Sequence, residues 1–452
     1  MTTTAHQPLK KSMIAFYGLL DLPLMMMLST VGVFVHPYYT TDLQLDLVLV
    51  ANVLLVGRVF DLITDPLVGR LSDLTRTRWG RRKPWIVASI PLLMLGIYKL
   101  YLPGSDVDIW YLLIWMSVMW LGWTMLMIPY YAWAAELTPD YQERSLVTGS
   151  RSFMGTAGQL LAYVTPVVAL WAFDYGGTGE VLAMIGISAL VLLPILGLLT
   201  VIFVPERKDF VPSVIPLGPG LKLMWQNGPF LRLILAFWLN FTALALTTAM
   251  FLYYVLFVVQ ESKSGIVGLT TFYVSNLIAV SFWVWLSTKI SKHRAWIASL
   301  ILISCVNPFY LLHGPGDFLW MLPIMALSGF AAGAFQALPN SMKADVIDLD
   351  TLRSGEDRAA TYFAVWSFTQ KAAMSIAGWL ALMGLAIVGF DPSLGPEAEQ
   401  PVLGLKIMFG VVPSIFFLGA AAVAWNYPIT EEQQRRTRAE IDAKRVAPGL
   451  AE

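Results

Sequence analysis

"FDLITDPLVGRLSDLTRTRWGRRKPW", residues 60–85, begins inside an apolar run and sets two aspartates, Asp61 and Asp65, within it. Five basic residues then crowd into eight positions: Arg76, Arg78, Arg81, Arg82 and Lys83. An ionised side chain at the centre of a bilayer costs about 2.5–3.5 kcal/mol on insertion scales, so acids placed there need partners, water or a bound ion. The basic cluster after them has the pattern of a loop on the positively charged side of a membrane. The stretch therefore reads as the end of a membrane span and the loop that anchors it.

Composition extends that reading to the whole chain. Of 452 residues, 57% are hydrophobic and 13% charged, with a mean hydropathy of +0.65. The charged share is about half of the ~25% usual in soluble domains. A water-soluble globule cannot hide so much apolar surface, whereas a bundle in lipid has no need to. The net charge of zero carries little information, because the sidedness of Lys and Arg is what matters in a membrane protein. Cys305 is the only cysteine, which excludes an intrachain disulfide or a cysteine-rich metal site. The first apolar run continues past Met25 without an A-x-A-like cleavage site and reads as a retained span.

Twelve stretches reach the ~20 apolar residues that cross about 30 Å of hydrocarbon. They run over 13–35, 47–72, 84–102, 109–135, 147–172, 181–204, 230–258, 266–290, 295–312, 318–342, 360–389 and 402–426. Helices are expected throughout, since only helices or closed barrels satisfy the backbone in lipid and the alternation of barrel strands is absent. If the helices alternate, one side collects Lys10 and Lys11, the 76–83 cluster, Arg144, Arg207, Lys208, Lys289, Lys292, Arg294, Arg353, Arg358 and a basic tail. The opposite loops carry Asp42, Asp46, Asp106, Asp108, Asp174, Glu180, Asp391, Glu397 and Glu399, with Lys263 the one clear base. Both termini are thus expected on the cytoplasmic side of a cell (inner) membrane.

The break at 205–229 divides the chain into an N-terminal six-helix half (1–204), a cytoplasmic central loop (205–229), a second six-helix half (230–426) and a cytoplasmic tail (427–452). A weak internal repeat supports the division: "RRKPWIVAS" at 81–89 echoes "KHRAWIAS" at 292–299. The expected fold class is all-α integral membrane, twelve transmembrane helices in two pseudo-symmetric halves of the major facilitator type. In such carriers the substrate site lies near the midplane.

Asp61 and Asp65 are one turn apart on one helical face, with Thr64 beside them and Arg58 one turn earlier. Carboxylate and hydroxyl oxygens suit a hard monovalent cation, and two close carboxylates suit a proton equally well. A structural network in which Arg58 neutralises an aspartate is the competing reading. Elsewhere the aromatics can serve recognition or packing, and the Gly329-x-x-x-Gly333 pair reads as a close helix contact.

The pattern D-x-x-x-D-P followed by T-R-[ST]-R-W-G-[RK], met here at 61–81, resembles the glycoside–pentoside–hexuronide:cation symporters, the melibiose-carrier type of the major facilitator superfamily. Four residues more than in the usual superfamily loop separate Asp73 from Gly80, as in that group, and "ADVIDLDTLRSGEDRAATYFAVWSFTQK" at 344–371 is a second similar block. The resemblance covers nearly the whole chain. It implies a cation site of Asp61, Thr64, Asp65 and Thr124, with Na⁺ or H⁺ as coupling ion, no cofactor and no metal beyond that possible Na⁺. Thr64 replaces the asparagine of the melibiose type and leaves the choice of ion open. Arg151 is implied as a substrate or gating contact, and Lys371 as a cation that competes for the same aspartates from the other half. Trp123, Tyr130, Tyr131, Tyr17 and Trp366 are the candidate aromatic contacts. Met25 and Met127 stand where the melibiose type carries sugar-binding aspartates; Asp21 lies one turn before Met25. A cytoplasmic latch is expected from Asp73, Arg76, Arg82, Glu136, Arg144, Asp345 and Arg358.

These residues point to cation-coupled symport of a sugar, glycoside or related small solute by alternating access. The alternative within carriers is a lysolipid or other amphipath, motivated by the lost acids and the Met-rich "LMMM" at 24–27. An enzyme is disfavoured: no phosphate-cradling loop, H-E-x-x-H or G-x-S-x-G motif occurs. The expected partners are a small-molecule substrate and the lipid bilayer, not nucleic acid, with the monomer as the working unit.

Overall fold

The computed structural model describes residues 9–138, 141–173, 177–206, 227–354, 359–396, 398, 400–429, 432–434, 436–437 and 440. Among them the chain is helical from end to end, and the one β-bridge joins Thr77 to Gly80. The long helices are α1 (Lys11–Asp42), α2 (Leu47–Leu74), α3 (Lys83–Tyr101), α4 (Ile109–Leu137), α5 (Tyr141–Phe173) and α6 (Thr178–Phe203). They continue with α7 (Gly228–Val259), α8 (Ser262–Ile290), α9 (Lys292–Leu312), α10 (Phe318–Leu352), α11 (Ala359–Ile387) and α12 (Val402–Trp425). Eleven of these are long and apolar enough to cross a membrane on their described residues. The remaining one, α5, is 33 residues long and contains the expected stretch 147–172. The expected central loop falls mostly on 207–226, outside the described residues.

The chain divides into two compact units, Met1–Ser213 with Asp391–Ala398, and Val214–Phe390 with Glu399–Glu452. In the first, α1 packs along α5 and α6, α3 lies between α4 and α6, and α2 rests on α4. In the second, α7 packs on α11 and α12, α8 on α10, and α9 on α10 and α12.

Acids in the loops start several helices. The Asp46 carboxylate accepts from the Leu49 amide at 2.9 Å and Asp108 from the Tyr111 amide at 2.7 Å, satisfying first-turn donors that lipid cannot. Residues that look in sequence like markers of sidedness are thus also helix caps.

Glycines set the tightest crossings. A Cβ at Gly18 would lie 2.8 Å from the Ser150 carbonyl carbon, and one at Gly158 2.8 Å from that of Leu22, so α1 and α5 touch backbone to backbone. Gly329 and Gly333 do the same for α10 on α8, where added Cβ atoms would lie 2.9 Å from the Phe272 carbonyl carbon and from the Asn276 oxygen. α1 is also irregular: its pattern breaks at Leu20, and it widens into π turns at Val31–Val35 and Tyr38–Asp42. Such turns cluster at functional positions.

Candidate functional site

The acid-bearing face of α2 is built with its partners. Asp61 and Thr64 are buried, and Arg58 Nη1 donates to Asp61 Oδ2 at 3.2 Å along the helix. The same guanidinium lies 3.9 Å over the Trp120 ring, which meets Trp123 edge-on. From α4, Thr124 Oγ1 donates to Asp65 Oδ1 at 2.9 Å. Thr64 Oγ1 is buried without a hydrogen-bond partner among the described residues. Asp61, Thr64, Asp65 and Thr124 thus place carboxylate and hydroxyl oxygens on two packed helices. Arg58 does pair with Asp61, so the network reading and the ion-site reading share one cluster. Among the described residues no group of three or more His, Cys, Asp or Glu side chains is placed to hold a metal ion. Two carboxylates with hydroxyls are, however, donors for a hard monovalent cation.

A second cluster forms where α1, α4 and α5 meet. The Arg151 guanidinium lies 3.9 Å over the Tyr131 ring, and its Nε is 3.9 Å from Asp21 Oδ2. Asp21 is buried, and its Oδ1 has no hydrogen-bond partner among the described residues. Tyr17 stacks on Tyr130, and each hydroxyl donates to the other's carbonyl oxygen. Tyr17 and Tyr130 are fully buried, whereas Tyr131 is 40% exposed. The sequence places Asp21 only as a neighbour of Met25; its meeting with Arg151 depends on the glycine-lined crossing of α1 and α5.

In the second unit, Trp366 is buried and stacks on Phe237 at 3.9 Å between centroids. Beside it lies a residue that the sequence reading missed. Lys343 on α10 is buried, gives a hydrogen bond to Asn340 Oδ1 at 3.0 Å, and sits 4.0 Å and 4.7 Å over the rings of Phe363 and Trp366. A lysine directly after the apolar stretch 318–342 was the signal available. Lys371 is half-buried on α11, where its carbonyl accepts from Ser375.

Four of the expected latch residues, Asp73, Arg82, Glu136 and Asp345, are engaged within their own units. Arg82 reaches Glu136 Oε1 at 2.6 Å, Asp73 Oδ1 at 2.5 Å and Ser72 Oγ at 2.8 Å, and Arg81 reaches Glu136 Oε2 at 3.1 Å. Burial opposes the Arg82 charge, but these carboxylates outweigh it and hold the guanidinium above its ordinary pKa. In the second unit Lys292 Nζ holds both Asp345 oxygens, at 2.7 and 2.9 Å. Arg76 is exposed. The Arg144 side chain and Arg358 lie outside the described residues.

Sequence reading also missed Glu206. It accepts from the backbone amides of Arg81, Arg82 and Lys83 at 2.5–3.2 Å. Gly80, at φ +113°, makes that approach possible.

The family model of the MFS/sugar transport proteins matches residues 16–431, and the chain belongs to this family. It is a multi-pass membrane transport protein of the major facilitator fold, as the apolar stretches in two halves and the 61–81 motif led one to expect. Relatives include a putative glycoside/cation symporter of Escherichia coli, 25% identical over 92% of this chain and 91% of its own length. A sodium-dependent lysophosphatidylcholine symporter of Danio rerio is also 25% identical, over 92% of this chain and 86% of its own. Among solved structures, a bacterial homolog of the human lysosomal transporter Spinster superposes with a TM-score of 0.67 at 16% identity, covering 95% of this chain and 98% of that one.

Proposed function

We propose that the protein is a cation-coupled symporter that carries a sugar, glycoside or related small polar solute by alternating access. The carrying observation is the oxygen cluster of α2 and α4, in which Thr124 donates to Asp65 and the Thr64 hydroxyl is buried beside it. Na⁺ or H⁺ bound there would draw α2 and α4 together. Arg151, stacked on the partly exposed Tyr131, is the solute contact: a guanidinium for acceptor oxygens and a ring for a sugar face. The E. coli relative's description as a putative glycoside/cation symporter supports this solute class. Both termini would face the cytoplasm, on the side that collects the basic loops.

The test is uptake into proteoliposomes under imposed Na⁺ or pH gradients, with D-xylose, methyl-α-glucoside, a glucuronide and lysophosphatidylcholine as solutes. A gradient-driven sugar or glucuronide flux that Asp65→Asn abolishes is the expected result. Flux of lysophosphatidylcholine alone would replace the solute class, and uphill accumulation by an Asp61→Asn/Asp65→Asn double variant would remove the cation site.

A further inference from the structure

We propose that Asp21 is a second ion-exchanging site, a carboxyl that takes up and releases a proton with Arg151 as its counter-charge. The inference rests on the transport reading above but not on the oxygen cluster of α2.

An ionised carboxylate offers about four lone-pair sites, and a buried one needs several of them filled. Asp21 is 4% exposed; Oδ1 has no hydrogen-bond partner among the described residues, and Oδ2 meets Arg151 only at 3.9 Å, beyond hydrogen-bond reach. The loose contact is not slack in the fold. The Gly18–Ser150 and Gly158–Leu22 approaches press the two backbones together, and a Cβ at Gly155 would lie 2.9 Å from Asp21 Oδ2. The chain thus holds the carboxyl in a slot that only glycine leaves open, yet stops the guanidinium short of it.

The groups facing Asp21 are few. Arg151 comes from α5, Tyr130 and Tyr131 from α4, and Tyr17 from α1 itself. Of the other helices packed on α1, α6 carries Glu180 at its start and no other ionisable residue, and α3 brings Tyr101, whose hydroxyl donates to the Met27 carbonyl at 3.0 Å. No second carboxylate shares the site among these, so one proton and one guanidinium are the two ways to neutralise it.

Arg151 is divided between Asp21 and the exposed Tyr131 face, where the solute is placed. When solute acceptor atoms engage the guanidinium, Asp21 loses its counter-charge and holds a proton from the same side. When the solute leaves, Arg151 returns and the proton is released. One proton then moves with each solute, and each raises the affinity for the other.

The test needs no solute. Infrared difference spectra of the purified, lipid-reconstituted protein are recorded across a pH titration, following the carbonyl stretch of protonated carboxyls. The band is expected to titrate in the wild type, to lose the component of one carboxyl in Asp21→Asn, and to keep it in Asp65→Asn. Asp21→Glu, which retains an acid if Asp21→Asn does not fold, should shift the band without deleting it. Arg151→Gln should raise the midpoint of that component by about 1–3 pH units. An Asp21→Asn titration identical to wild type, or an unmoved midpoint in Arg151→Gln, overturns the proposal. Either failure leaves the Asp65 reading standing, since uptake by Asp65→Asn decides that separately.

Discussion

The hydroxyl of Thr124 reaches Asp65 from a neighbouring helix and is itself buried. Thr124→Val keeps its shape and removes the donor. A hydrogen bond to a charged group is worth about 1.5–3 kcal/mol, so the cation concentration giving half-maximal uptake should rise roughly 10- to 100-fold; an unchanged value would mean that Thr124 only packs. At this scale much of the site was legible. Asp61 and Asp65 show by their spacing on one helix, and the Arg58–Asp61 bond lies within one turn. Asp21 was not legible as a partner of Arg151, because its contact is made across a helix crossing and no local pattern encodes it. Lys343 stood one residue past the apolar stretch 318–342, and its ring contacts with Phe363 and Trp366 came only from the packing of α10 on its neighbours.

At the start of α3, one carboxylate serves three backbone donors. Glu206 caps the amides of residues 81–83, where the helix dipole also favours negative charge. Losing a helix cap costs about 0.5–2 kcal/mol, so Glu206→Ala should lower the thermal unfolding temperature of the purified protein. Gly80→Ala should do the same, through its positive φ and because the new methyl would strike the Glu206 carboxylate. Because both changes remove one contact, the double variant should be no worse than the more damaging single one. Additive losses would show that Gly80 and Glu206 act independently. The motif reading singled out the basic loop for sidedness and gating, and missed that its backbone organises a helix end.

Over the whole chain, the weak repeat between 81–89 and 292–299 recurs in the pairing. Arg82, just before α3, meets Glu136 near the end of α4; Lys292, at the start of α9, meets Asp345 near the end of α10. The two pairs differ in exposure. Arg82 and Glu136 are both 4% exposed, whereas in the second pair Asp345 is 9% but Lys292 32% exposed. Removing one partner of a fully buried pair costs about 3–5 kcal/mol, and less where one partner, as Lys292 here, still meets water. Glu136→Gln should therefore destabilise the protein well beyond Asp345→Asn in thermal unfolding. Equal losses would mean that water reaches the first pair as freely as the second.

The sequence by itself determined the membrane class, the helical stretches and the placing of Asp61 and Asp65 on one helical face. Each of these follows from composition or spacing within a few turns: hydrocarbon transfer adds up residue by residue, and a helix repeats every 3.6. Only the tertiary structure decided which carboxylate meets which partner across the fold, from Asp21 beside Arg151 to Glu206 with the amides at the start of α3. Those distances depend on where glycines let two backbones touch, and that is a property of packed pairs of helices rather than of either one.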